Sequence, residues 1–563
     1  MTSTVKMTAP PKNPPKTQVC DVVILGSGLA GSVTAALLAR QGVKVALIDA
    51  ATHPRFAVGE SMTPQLVEWL HILSERYDVP EIKALVSVDE STKQIGPVFG
   101  TKAHFGFQVH KPGTMPDHRE STMLAIPRIL TQASHLFRQD SDSYMFHVAV
   151  KYGVTPRQGW RAKDVDFDDD GVTVTGQNGE AFRARFLIDA SGFRSPLADK
   201  FSLRDEPARF KHHSRSLFNH YIGIKPWDDV NGFPESAKPP VAWHKGTMHH
   251  VFDHGWFWII PFDSHKESKN PLCSVGLTFD ERRYPKPKDM TPQQEFDHYL
   301  DMFPAVKRQF EGAKPVREWV STDRLQYSSR ESIGYRWCLM SHAAGFIDPL
   351  FSRGLSNTFE IVDALTHRLL SALRDDDFAV ERFEYVDKLE RGLLHFNDDL
   401  VNSSFIAFSD FKLWNAMFRV WGAFITPGVM RLTRARLRYS RDHDERHFLE
   451  LEQAPYTGLW WPESDKFRRL LEGSAEVMEK YEVGELTVDE ASEAVMTMIQ
   501  TTDVVNPTFG WRDPEIRYIN PSTLTMAKFM YWASVQGPPE MNELGREFLK
   551  GVVKAGTKVR KLL

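Results

Sequence analysis

The stretch Gly26-Ser-Gly28-Leu29-Ala30-Gly31 constrains this chain more than any other. The apolar run CDVVIL at 20–25 leads straight into it. SVTAALLARQ follows with helical spacing, Gly42 stops that helix, and VKVALID reads as a second strand. A G-x-G-x-x-G turn between strand and helix is the context in which glycines serve a dinucleotide. Gly26 permits the tight turn, Gly28 lets backbone approach a pyrophosphate, and Gly31 lets helix and strand pack closely. Leu29 and Ala30 lie in the first helical turn, whose free N–H groups and positive end favour phosphate. Asp49, closing the second strand, offers a carboxylate to ribose hydroxyls. A Rossmann-like α/β unit that binds a dinucleotide is expected. The motif alone does not separate FAD from NAD.

Later segments favour FAD. RARFLIDASGFRSP (183–196) is a strand running into Asp189 and a small-residue turn. WCLMSHAAGFIDPLFSRG (337–354) is another strand, entering a loop with Asp348. A flavin dinucleotide is long enough to need several such segments, and Arg138 is a further candidate for a phosphate or flavin contact. Together these segments resemble the flavoprotein monooxygenase superfamily, whose dispersed FAD motifs fall in this order. No second nucleotide fingerprint follows, so reducing equivalents are expected from elsewhere.

With 563 residues the chain exceeds what one core usually supports. A formal net charge of −4 argues against a nucleic-acid or anionic-membrane binder. Cys20, Cys273 and Cys338 have neither disulfide-framework nor zinc spacing, so no metal site is expected and a reduced, cytoplasmic setting is the reading. Residues 1–18, rich in Pro, Lys and Thr, read as a disordered tail without the apolar region of a secretory signal. No eighteen-residue apolar run predicts a membrane span.

The stretch GWFWIIPF (255–262) places Trp256, Trp258 and Ile260 on one face of a buried strand closed by Pro261. Its Trp-x-Trp-x-Ile-Pro pattern resembles the flavin-dependent halogenases at every specified position. In that family the motif lies beside the passage between flavin and substrate, and is held to keep the flavin hydroperoxide from hydroxylating the substrate. The resemblance also implies a catalytic lysine, which FGTKAHFGF places at Lys102. It further implies a halide site at the backbone of Arg353 and Gly354, where a helical pattern begins. Phe351 departs from the tryptophan-acting members, which carry a glutamate there. That carboxylate cannot be carried over, and the departure favours electron-rich phenols and pyrroles. Longer matches, including ARFKHHSRSLFNHYIGIKPWDD, are most similar to the pyrrole-acting branch of pyrrolnitrin biosynthesis, whose substrate is monodechloroaminopyrrolnitrin.

The expected architecture is an FAD-binding domain over 19–375 with an interleaved substrate-side sheet (about 60–125 and 200–330), then a helical C-terminal domain over 376–563. There Trp414, Trp421, Trp460 and Trp461 are read as packing a helical lid onto the flavin domain. The expected activity is a two-component halogenation. A partner reductase supplies FADH2, hypohalous acid forms from chloride or bromide, and Lys102 delivers it to a small aromatic ring. Two rivals remain: an aromatic hydroxylase reduced in place by NADPH, and a flavoprotein that only binds an aromatic ligand.

Overall fold

The apolar run ahead of the glycine turn becomes a central strand. The computed structural model describes residues 17–126 and 133–562, and in it Val22–Leu25 lies between parallel neighbours Phe186–Asp189 and Val45–Ile48. The strand order is Ile333–Gly334, Trp337–Leu339, Phe186–Asp189, Val22–Leu25, Val45–Ile48, Thr155–Arg157. All four residues of Val22–Leu25 are buried, as a parallel strand covered on both faces requires. Helices Leu29–Arg40 and Arg138–Lys151 pack together beside this sheet. Its other face meets a smaller sheet built from Ala162–Asp168, Gly171–Gly176, Ala181–Ala184 and Thr17–Val19.

The larger, mixed sheet contains Ser214–Ile222, Leu272–Asp280, Gly255–Pro261, Thr247–Phe252, His104–Val109 and Ser121–Ala125, in that order. Period-two alternation divides its side chains cleanly. Phe105, Phe107, Trp256, Trp258 and Ile260 join the main core, whereas Met248, Phe257, Ile259 and Val275 pack with Phe296 and Leu300 of the helix Pro292–Met302. Trp256 and Trp258 therefore share one face, as their spacing predicts.

The C-terminal helices do not build a core of their own. Trp414, Phe418 and Trp421 of Phe411–Gly422 belong to the same buried cluster as Phe105, Phe107 and Trp258. Trp460 and Trp461 join it too, and strand Tyr518–Ile519 of this region pairs with Ser121–Ala125. Two sequence expectations need correction. Thr17 and Gln18, placed in the tail, pair with Ala181 and Phe182, while residues 1–16 lie outside the described residues. Residues 60–100, assigned to the substrate-side sheet, are mostly helical. Thr63 caps Pro64–Arg76 by accepting from the Leu66 N–H, and Leu66, Leu70 and Leu73 bury its inner face. Among the described residues no helix is long and apolar enough to cross a membrane, and all three cysteines are free.

Candidate active site

The glycine turn opens onto a cleft of about 1040 Å³, bordered by Gly26, Gly28, Leu29, Ala30, Asp49 and Arg138. A Cβ on Gly31 would sit 1.9 Å from the Gly26 carbonyl oxygen, so this position tolerates only glycine. Gly26, at φ +95°, would bring a Cβ within 2.4 Å of the Ala190 carbonyl oxygen. Around Gly28 nothing comes closer than 3.7 Å, and no side chain caps the helix it begins. Open space above uncapped N–H groups is the cradle a pyrophosphate needs, so the residues present fit FAD.

The carboxylates behave differently from expectation. Asp49 borders the cleft, but its Oδ2 accepts from the Ser27 N–H (2.7 Å) and hydroxyl (2.8 Å), and Arg55 lies 3.1 Å away. Asp189, expected to touch the cofactor, is fully buried and does not border the cleft. It accepts from the Ser191 N–H (3.0 Å), the Ser195 hydroxyl (2.6 Å) and the Leu197 N–H (3.2 Å), holding its own loop in shape. Asp348 borders the adjoining chamber, yet its carboxylate receives the Ser214 hydroxyl (2.7 Å) and the Leu350 N–H (2.9 Å). Asp189 shapes its loop from behind, whereas Asp348 does so from the chamber wall.

A second cavity of about 370 Å³ adjoins the cleft, since Arg138, Gly192, His342 and Leu355 border both. Trp256, Trp258 and Ile260 form part of its wall, their two indole rings 5.6 Å apart. Pro261 is not in that wall; its carbonyl accepts from His135 Nδ1 at 3.0 Å. Trp258 is clamped because Gly276 on the paired strand has no side chain: a Cβ there would lie 2.0 Å from its ring. Gly276→Ala is expected to cost about 1–3 kcal/mol of stability through this overpacking, measured as a shift of the denaturation midpoint with FAD bound.

Lys102 sits where this cavity meets the helical region. It is 1% exposed; its Nζ donates to Thr247 Oγ1 at 2.6 Å and lies 3.6 Å from the centroid of the Phe105 ring. Thr247 borders the flavin-side cavity, and Phe105 borders a separate apolar cavity with Ile425, Val429, Phe509 and Trp511. Lys102 borders neither cavity itself: its two contacts link the flavin-side cavity to this smaller apolar one of about 40 Å³. Burial without a compensating carboxylate holds its amine well below the usual lysine range. His104, His135 and His249 are likewise held below the usual histidine range, chiefly by burial.

The loop after Asp348 carries two residues at positive φ, Phe351 (68°) and Ser352 (57°), before the helix Gly354–Asp375 begins. Phe351 is fully buried against the Trp421 ring at 4.7 Å, so no carboxylate occupies this position. Ser352, Gly354 and Leu355 border the flavin-side cavity at an uncapped helix start. Arg353 does not: its side chain turns to the opposite side, over the Trp460 ring at 4.6 Å. The expected halide contact is with backbone, so the direction of the Arg353 side chain does not bear on it; Gly354 borders the cavity with Leu355 beside it.

Several residues at this site escape sequence reasoning. Ser61, Glu60, His249 and His342 border the flavin-side cavity, and Glu60 is paired with buried His220 at 2.7 Å. Thr247 and His249 carry a readable signal, since they alternate on the strand Thr247–Phe252 beside Phe105 and Phe107.

An uncapped Rossmann turn, a long cleft and an adjoining chamber define an FAD-binding flavoprotein. Residues 19–275 match the FAD binding domain family. The chain is 50% identical over 524 residues to the tetracycline 7-halogenase of Kitasatospora aureofaciens, covering 93% of this chain and 94% of that one. It is 42% identical to the monodechloroaminopyrrolnitrin halogenase PrnC of Pseudomonas fluorescens, with 93% of each chain covered. The crystal structure of halogenase PltM in complex with phloroglucinol and FAD superposes with a TM-score of 0.86 at 34% identity, covering 89% of this chain and 99% of that one. The chain belongs to the flavin-dependent halogenases.

Proposed function

We propose that this chain is the halogenating component of a two-component system. Its aromatic substrate is an electron-rich ring, a phenol or a pyrrole such as monodechloroaminopyrrolnitrin, and chloride or bromide is the second substrate. FAD, delivered as FADH2 by a separate flavin reductase, supplies when bound the activation of O2 that converts halide into hypohalous acid. The glycine turn holds the cofactor, and Arg138 borders the cleft with its guanidinium held by Asp142 and the Val58 carbonyl. The N–H groups of Gly354 and Leu355 hold the halide at the positive end of their helix, without a metal. Trp256, Trp258 and Ile260 keep the aromatic substrate away from the flavin side, while the small oxidant passes to Lys102.

The observation that carries this reading is the position of Lys102: buried, without a carboxylate partner, and between a flavin-side chamber and an apolar one. A neutral amine there is nucleophilic and can take the halogen from hypohalous acid. The N–halogen bond forms as the halogen–oxygen bond breaks, and the departing hydroxide leaves as water with one Nζ proton. Attack by the ring carbon then breaks the N–halogen bond; nitrogen regains the electron pair and the ring proton restores the amine. Phe351 supports a ring that needs no carboxylate to activate it. The matches to a tetracycline halogenase and to a structure holding phloroglucinol, a phenol, favour the phenol, whereas PrnC keeps the pyrrole in view.

The test is to supply FADH2 from an unrelated reductase, with chloride or bromide and a panel of phenols and pyrroles, and to read product masses. Halogenated product that depends on halide and on the added reductase is expected. NADPH consumed without a reductase, with hydroxylated product regardless of halide, would contradict the proposal.

A further inference from the structure

Thr247 Oγ1 has three polar neighbours: Lys102 Nζ at 2.6 Å, Ser61 Oγ at 2.8 Å and His135 Nε2 at 3.0 Å. A hydroxyl has one proton to give and two lone pairs to receive. His135 decides which neighbour receives that proton. Its Nδ1 faces the Pro261 carbonyl, which can only accept, so Nδ1 carries the ring proton. In a neutral imidazole Nε2 then bears the lone pair and must accept from Thr247. The Thr247 oxygen is therefore left as acceptor for both Lys102 and Ser61.

This direction fixes the amine. One Nζ–H points to Thr247 Oγ1, and the face of Phe105 lies on another side at 3.6 Å, where it can receive a second N–H. The lone pair of a neutral amine is then left to point away from both. The arrangement is braced by backbone. The strand Gly100–Thr101, which leads into Lys102, pairs with Ser134–His135, and the Lys102 N–H donates to the Ala133 carbonyl. Backbone pairing thus fixes the lysine and the histidine relative to each other.

We infer that His135 is a positioning residue: through the Thr247 hydroxyl it sets the direction in which Lys102 presents its lone pair to the oxidant. The inference rests on the role proposed for Lys102, and the experiment separates the two. His135→Asn keeps a donor near Pro261 but loses the acceptor for Thr247, whereas His135→Gln can place its amide oxygen where Nε2 stood. Thr247→Val removes the hydroxyl at nearly constant shape and leaves His135 in place; Thr247→Ser retains the hydroxyl.

His135→Asn and Thr247→Val are expected to lower kcat for ring halogenation about 10–100-fold, the scale of a small misplacement of a reacting group. KM and FAD affinity stay the same, and more oxidant escapes to a diffusible scavenger such as monochlorodimedone. His135→Gln and Thr247→Ser recover most of that loss. Wild-type kcat in both Thr247→Val and His135→Asn would overturn the inference, as would better activity in His135→Asn than in His135→Gln, because anchoring to Pro261 would then be what matters. Lys102→Ala is the control. If it halogenates normally, the lysine reading itself fails; if it is inactive while Thr247→Val and His135→Asn keep wild-type kcat, only the positioning role fails.

Discussion

Lys102→Ala is expected to bind FAD and still form oxidant, but to lose ring halogenation by at least about 100-fold, the scale of a removed catalytic group. Nothing in the cofactor cleft depends on this side chain, because its polar contact is to Thr247 and its apolar one to Phe105. The lost step is the transfer to the ring, so oxidant leaks out and is counted with a scavenger. A second consequence follows from the same burial. An amine held below its unfolded value makes folding release a proton, so the position weakens the native state as pH falls below the usual lysine range. The apolar Lys102→Met has no such proton to lose. Its Tm is expected to exceed that of the wild type at neutral pH, and the gap should narrow as pH rises toward 10, which calorimetry across that interval reads directly. Equal melting at all pH values would contradict a desolvated lysine.

Gly31→Ala and Gly28→Ala should fail in different ways. At Gly31 the new methyl meets backbone, the Gly26 carbonyl oxygen at 1.9 Å, and neither the turn nor the helix can yield without parting the helix from the central strand. Loss of soluble folded protein, or FAD affinity reduced by at least about 100-fold, is expected there. At Gly28 the backbone has an ordinary extended conformation and the methyl meets nothing closer than 3.7 Å. That variant should fold with the melting temperature of the apoprotein unchanged, yet bind FAD more weakly because the methyl fills space reserved for phosphate. Equilibrium FAD titration beside apoprotein melting separates the two. Identical behaviour in both assays would remove the glycine turn from the cofactor site.

The parts legible in the sequence were those set by local rules. A strand, glycine turn and helix within thirty residues dictate their own geometry, and alternation in GWFWIIPF placed Trp256 and Trp258 on one face. Lys102 and the helix start after Phe351 were legible through resemblance, since a lone lysine or helix start has no chemical meaning of its own. Ser61 and His135, and their meeting at the Thr247 hydroxyl, were hidden because they come from separate segments brought together by tertiary folding. Side-chain direction was hidden for the same reason. Asp189 spends its carboxylate on Ser191, Ser195 and Leu197, though from sequence it looks like a cofactor contact. The helix Pro64–Arg76 was readable from Thr63-Pro64 and the spacing of Leu66, Leu70 and Leu73, a local signal outweighed by an assumed sheet boundary.

The central claim is that oxidant is made on one side of the Trp256–Trp258 wall and used on the other, so flavin-activated oxygen never reaches the ring. Turnover under oxygen-18 gas with FADH2, chloride and a phenolic or pyrrolic substrate tests it most directly by product mass spectrometry. The account predicts a product with a chlorine isotope pattern and no oxygen-18. Oxygen-18 in the ring product, with or without chloride, would contradict it.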